Sequence, residues 1–193
     1  IKFKINMIKI ISGKYKRSNL IVHDKYVRPT SLIKRESIFS VIESYAVKNN
    51  INLYNNKAAL DIFAGSGALG LEAFSRGISK IYFYENNVEV VKILKNNCSK
   101  ICSQNDFEIF EDDVILFPPK KISAKISIIF IDPPYNKYDI KALLNSITKI
   151  IDKNTIIVIE FDINQELTIL EKLKIIEEKK YKKTIIYFLK LID

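Results

Sequence analysis

Ala59-Leu60-Asp61-Ile62-Phe63-Ala64-Gly65-Ser66-Gly67-Ala68-Leu69-Gly70 is the stretch that decides how the chain is built. An apolar run of strand length enters a turn with two closely spaced glycines, and good helix formers leave it. That order of strand, glycine-rich turn and helix lets a doubly wound α/β fold bring a ligand close to its backbone, at the carboxyl edge of the sheet. Four of the five glycines fall between Gly65 and Gly77, so the turn is a concentrated feature. Strand-like and helix-like segments alternate around it. Strands are expected at 58–63, 80–84, 107–110, 126–131 and 155–161, and helices at 68–76, 88–101, 140–151 and 165–173. Segments 175–179 and 184–191 read as a closing antiparallel hairpin. Before the glycine turn, 7–11 and 18–22 read as a basic hairpin, and 32–47 as a helix capped near Ser31. The expectation is one domain over 1–193: a core at 51–193, with 1–50 forming a hairpin-and-helix extension. Its fold class is α/β, a mostly parallel seven-stranded sheet with helices on both faces.

Composition narrows the class. The chain has 193 residues, 48% hydrophobic and 27% charged, which is globular and not disordered. No apolar run approaches the roughly 18 residues of a membrane span. Ile1-Lys2-Phe3-Lys4 lacks the apolar stretch of a secretory signal. Met7 is the only methionine and the pattern of the arm begins there, so a native start at Met7 is expected. Cys98 and Cys102 with the single His23 fall short of a four-ligand zinc site. The two cysteines read as packing thiols, and His23, Asp139 and Asp152 as surface or capping residues. A monomeric, metal-free cytoplasmic protein is expected.

The net charge is +9, and its placement is informative. Residues 1–35 hold ten cations against Asp24 alone, while the remainder of the chain balances at 21 of each sign. A neutral body with a basic arm is the asymmetry expected of a polyanion binder. Lys14, Lys16 and Arg17 around the hairpin turn are the candidate phosphate contacts. Lys179-Lys180-Tyr181-Lys182-Lys183 is also basic, but Glu177 and Glu178 beside it fit a solvated turn equally well.

Gly65-Ser66-Gly67-Ala68-Leu69-Gly70 is formally G-x-G-x-x-G, a dinucleotide fingerprint that is weak alone. Asp61 argues for a different ligand. A carboxylate about 4 Å from a pyrophosphate charge, at an effective dielectric near 20, costs roughly 4 kcal/mol. The ammonium and sulfonium of S-adenosylmethionine would be attracted instead. Glu85 ends the next strand, where a carboxylate can accept both hydrogens of a ribose diol. Asp113 follows the strand ending near Phe110 and is placed to meet an adenine amine. With these go the adjoining Phe63, Ala64, Gly65, Ser66, Gly67, Leu69, Asn86 and Val114 as candidate cofactor contacts.

Asp132-Pro133-Pro134-Tyr135 follows the apolar strand 126–131 and so opens at the same sheet edge. Two prolines fix the loop backbone. The Asp132 carboxylate and the Pro133 carbonyl can then hold both hydrogens of one planar amine. The lone pair of a nucleobase amine is delocalised into its ring, so holding both hydrogens favours the pyramidal, nucleophilic form. Tyr135 can stack on an extruded base. Asp132, Pro133, Pro134 and Tyr135 are the catalytic candidates.

Together the glycine turn and this tetrad resemble the class I S-adenosylmethionine-dependent amino-methyltransferases. More narrowly, Met7 to Gly13, Arg28-Pro29-Thr30, Arg35 to Phe39 and Asp61 to Glu72 resemble the bacterial 16S rRNA guanine-N2 methyltransferases of the RsmD type, over nearly the whole chain. The resemblance implies a Rossmann-like seven-stranded sheet and one S-adenosylmethionine. It also implies methylation of one guanine of 16S rRNA in the small ribosomal subunit, of the guanine-966 type. It places Arg28, Thr30 and Arg35 at the site entrance. Leu32 and Ile33 stand where the family usually has a polar Asp-Arg pair, and Asn87 stands where an acid is frequent. Three other functions stay open on the residues alone. One is DNA adenine-N6 methylation, which the same tetrad suits. The others are nicotinamide-dependent redox chemistry and a non-catalytic rRNA-binding assembly role.

Overall fold

In a computed structural model of the chain, residues 5–23, 31–119, 122–134, 138–165 and 167–192 are described. An antiparallel ribbon, β1 (Ile5–Lys9) and β2 (Asn19–His23), comes first, with Met7 opposite Ile21. Helix α1 (Leu32–Lys48) follows, its first turn capped by Ser31 Oγ accepting from Lys34 N. Then come β3 (Ala58–Ile62), α2 (Ala68–Arg76), β4 (Lys80–Tyr84), α3 (Val88–Ile101) and β5 (Phe107–Phe110). After these follow β6 (Ile126–Ile131), α4 (Ile140–Ile147), β7 (Ile156–Asp162), β8 (Leu173–Lys180) and β9 (Thr184–Leu191). The main sheet has seven strands in the order β5-β4-β3-β6-β7-β9-β8. Its first five strands are parallel, and β9 runs antiparallel to both β7 and β8.

Burial explains the central strands. Every residue of β3 and β6 is buried, as expected of parallel strands covered on both faces. On one face Ala59, Phe83, Phe130 and Val158 meet Phe39, Leu71 and Leu94 from α1, α2 and α3. On the other, Leu60, Ile62, Ile129 and Ile157 meet Leu143, Leu144 and Ile147 of α4.

The expected helix at 165–173 is not formed. Asn164 N and Nδ2 both donate to Asp162 Oδ1, turning the chain sharply just after β7. The apolar residues beyond it still do their covering: Leu167, Ile169 and Leu170 pack on the α4 face as an irregular segment, joined by Leu173 at the start of β8. Helix α4 stops at Ile147, earlier than the expected 151, and the ribbon strands sit within two residues of their expected places. Asp139 caps α4 through Ala142 N, as its position suggested.

The ribbon lies on the outer side of α2 and α3 and is fastened by three buried helix side chains. Both Glu72 oxygens accept backbone hydrogens, from Ile11 N (2.7 Å) and Ser12 N (3.0 Å). Ser75 Oγ accepts from Tyr15 N and donates to Ser12 O. Asn97 takes Ile21 N on Oδ1 and gives Nδ2 to Ile21 O, as a neighbouring strand would. The close approach needs Gly13: with φ of +81°, a Cβ there would lie 1.8 Å from Ser75 O.

Candidate active site

Strand order reverses between β3 and β6, so a crevice opens beyond their carboxyl ends. The glycine turn fills its near side. Phe63, Gly65 and Gly67 all have positive φ, at 61°, 55° and 77°. A positive φ at Phe63 is strain held in place by its surroundings. Among them is Tyr138, whose ring stands 4.8 Å from the Phe63 ring. Gly70 lets α2 descend onto the sheet, because a Cβ there would come within 2.5 Å of the Phe83 ring.

Asp61 and Glu85 brace this turn. Asp61 is 3% exposed, and its Oδ2 accepts from Gly70 N at 2.8 Å. Burial pushes its carboxyl up to about 8, the Gly70 N–H pulls the other way, and the charges of Asp132 and Glu85 add to the rise. Glu85 accepts from Gly65 N (3.0 Å) and Asn87 N (2.9 Å), which leaves one lone pair on each oxygen for a ligand. Asn87 caps α3 through Glu89 N and Val90 N, so an acid is not needed there for the helix. Beside Glu85 a small hollow is lined by Phe63, Tyr84, Asn86, Asp112 and Val114.

Asp112 and Tyr138 were not singled out from sequence. Adjacency to Asp113 was the available signal for the first, and nothing local marked the second. Asp113 itself is turned into its own loop, Oδ1 accepting from Ile115 N, and does not line the hollow. Ala64, Ser66 and Leu69 are buried under the turn. Asp132 is half-buried, Pro133 buried and Pro134 exposed, with Asp132 N directed at Ile62 O (3.4 Å). Tyr135, Arg28 and Thr30 lie outside the described residues, as does the His23 side chain.

Side-chain alternation puts four acids on the face shared with α1 and α2. Asp61 pairs with Phe83 and with Phe130, so Glu85 and Asp132 stand two residues beyond it on the flanking strands. Ile131 pairs with Ile159, which brings Glu160 level with Asp132. Acceptors crowd the edge from β4 to β7. Among these, Glu85 and Asp132 repel a pyrophosphate and suit a cationic ligand with a diol, so the residues fit S-adenosylmethionine better than a dinucleotide. A larger hollow of about 780 Å³, lined by Pro118, Ile122, Ile126, Lys149 and Asp152 among others, lies at the opposite end of β6 and carries none of these groups.

Lys14, Lys16 and Arg17 are exposed on the ribbon turn. Arg35 departs from its expected place at the entrance. It is 1% exposed, bonded to Lys9 O and 3.9 Å from Glu72, because α1 packs it beneath the ribbon. A guanidinium so enclosed has no surface to offer RNA.

A raised Asp61 carboxyl has a consequence for stability. The folded state binds a proton that the unfolded chain releases near pH 3.8, so stability is greatest below that pH and falls as pH climbs through about 8. Chemical denaturation between pH 5 and pH 9 is expected to show this fall in the protein without ligand, and a flatter profile in Asp61→Asn. Equal slopes in the two proteins would remove Asp61 as its source.

The family model described as Conserved hypothetical protein 95, the RsmD family, matches residues 8–190. This chain belongs to that family. Among RsmD-family relatives, Ribosomal RNA small subunit methyltransferase D of Buchnera aphidicola subsp. Baizongia pistaciae is 33% identical over 187 residues, covering 94% of this chain and 91% of its own. YlbH of Bacillus subtilis is 32% identical over 165 residues, covering 83% and 85%. The solved structure of yhhF from Escherichia coli superposes with a TM-score of 0.81 at 24% identity, covering 96% of this chain and 98% of that one. The shared architecture is therefore the Rossmann-like methyltransferase fold expected of an RsmD-family chain. No described helix is long and apolar enough to cross a membrane.

Proposed function

We propose that this RsmD-family protein methylates the exocyclic N2 amine of one guanine in 16S rRNA, of the guanine-966 type, during small-subunit maturation. The reading rests on one observation above all: the Asp132-Pro133-Pro134 turn stands at the switch point beside Asp61 and Glu85. The names of its relatives and the exposed Lys14, Lys16 and Arg17 support an RNA substrate, held by phosphate contacts that weaken with salt. Arg28 and Thr30 belong to the same proposed interface. The protein works on this reading as a cytoplasmic monomer.

Asp61, Glu85, the 63–67 turn and the hollow at Asp112 and Val114 would hold S-adenosylmethionine, with Leu69 backing the turn. Asp113 would shape the loop behind the adenine. When bound, that cofactor supplies a methyl group made transferable by its sulfonium. Asp132 and the Pro133 carbonyl accept the two amine hydrogens and aim the nitrogen lone pair along the crevice, while Tyr135 stacks on the extruded base. Pro134 stiffens the turn. Asp132 need not be a strong base, because the amine becomes acidic only once methylated.

Glu85→Ala is expected to weaken cofactor binding about 10- to 100-fold, the loss of one to two charge-assisted hydrogen bonds. Isothermal titration measures this directly, and wild-type affinity would remove Glu85 from the cofactor site. The function itself is tested with isotopically labelled S-adenosylmethionine and small subunits lacking the modification. Label in N2-methylguanosine supports the reading. Label in a methyladenosine, or cofactor binding without transfer to any subunit form, overturns it.

A further inference from the structure

The acid level with Asp132 has a partner that the cofactor does not need. Lys34, in the first turn of α1, donates to Glu160 Oε1 and to Thr184 Oγ1 (2.6 Å), and its ammonium sits 5.4 Å from the centre of the Tyr181 ring. Thr184 and Tyr181 belong to β9 and to the turn before it, on the side of Glu160 away from Asp132. The Lys34 and Glu160 side chains keep 17% and 11% exposure, so the pair is mostly dry yet reachable. Among the described residues, Glu160 Oε2 receives no hydrogen bond.

We infer that Glu160, positioned by Lys34, reads the Watson–Crick edge of the target base and selects guanine; the inference rests on the amine-methylation reading above. Guanine carries its N1–H beside the N2 amine on one edge, with O6 beyond. With the amine held at Asp132, the N1–H points one strand along, about 4.8 Å away, where Glu160 stands. Asp61, on the other side, is recessed by two residues and closed off by Gly70 N. A carboxylate accepts from the guanine N1–H, and the remaining Lys34 hydrogen faces O6. Adenine, or any purine whose N1 is a bare acceptor, brings a lone pair against that carboxylate and is rejected. Specificity then comes from repulsion as much as from contact.

The test uses small subunits carrying 2,6-diaminopurine at the nucleotide that the wild-type reaction labels. This base keeps the 2-amine but has an acceptor at N1 and an amine in place of O6. Wild-type protein is expected to prefer guanine in kcat/KM by roughly 10- to 100-fold, the discrimination of one good bidentate contact. In Glu160→Gln the amide can present either its oxygen or its NH₂, so the preference should collapse to within about threefold. Lys34→Met should raise KM with kcat nearly kept and lower the same preference, with Lys34→Arg restoring it. A wild-type protein that accepts both bases equally overturns the inference. So does a Glu160→Gln protein of unchanged melting temperature that keeps the full preference. If Glu160→Gln does not fold, the Lys34 pair decides, and an unchanged preference in Lys34→Met overturns the inference too. Failure of the underlying reading shows separately and earlier, as absence of labelled guanosine with the wild-type protein.

Discussion

Asp132→Ala should lose methyl transfer by about 10²- to 10³-fold, the scale of removing one preorganised polar contact from a reacting centre. S-adenosylmethionine binding should stay within about threefold of wild type, because Asp61 and Glu85 hold the glycine turn through Gly70 N and Gly65 N. The split follows from position: Asp132 leaves β6 at the crevice mouth, while the other two acids are tied to backbone N–H groups beneath it. Asp132→Asn is a milder version: its amide can turn its oxygen to accept one amine hydrogen, so it should keep more activity than Asp132→Ala. Titration calorimetry and turnover on the same preparation check both halves. Retained turnover in Asp132→Ala would end the amine-clamping role, and lost cofactor binding would move Asp132 into the cofactor site.

Glu72→Ala should be the most destabilising single change, by about 3–5 kcal/mol, as expected when one partner of a buried charge network is removed. Glu72 is 0% exposed and receives Ile11 N, Ser12 N and Arg76 Nε, with Arg35 close by. Its removal strands two backbone donors and takes the ion-pair partner from Arg35, an enclosed guanidinium whose Nε and Nη1 receive no hydrogen-bond acceptor among the described residues. For a chain of this length, about 2–4 °C of melting temperature per kcal/mol puts the drop near 10 °C. Glu72→Gln, which keeps one acceptor, should cost less. A thermal melt of Glu72→Ala within 2 °C of wild type would mean the ribbon is not fastened by this residue.

The difference in how legible these two acids are is instructive. Asp132 follows an apolar strand and precedes two prolines, so local pattern alone marks it. The glycine turn, Asp61 and Glu85 are legible for the same reason: each ends or follows a strand whose alternation can be read. The seven strands and three of the helices in the core region were visible through period and spacing. Glu72 was not, because a glutamate in the middle of a helix is ordinarily a solvated residue. The available signal was α2 itself, which is apolar on nearly all sides and so needs a further layer above it. Asn97 and Ser75 were hidden likewise, since their partners are backbone groups 60 to 76 residues away. The family resemblance set Arg35 at the entrance, whereas α1 packs it against Lys9 O and the buried Glu72, partners distant in sequence that nothing local signals. The segment 165–173 misled because its apolar spacing suits a helix, whereas the turn set by Asp162 redirects the backbone first.

Asn97 does more than hold the ribbon, since the Nδ2 that reaches Ile21 O also donates to Ser66 O in the glycine turn, at 2.9 Å. During synthesis this arrangement has an order imposed on it. The ribbon leaves the ribosome before α2 and α3, and its anchors are made 60 to 76 residues later, several seconds at about 5–20 residues per second. For that interval the basic ribbon has nothing of its own chain to dock on. The glycine turn, made before Asn97, likewise waits for its last hydrogen bond until α3 arrives. The nascent chain thus carries its cationic ribbon before it has a finished ligand site.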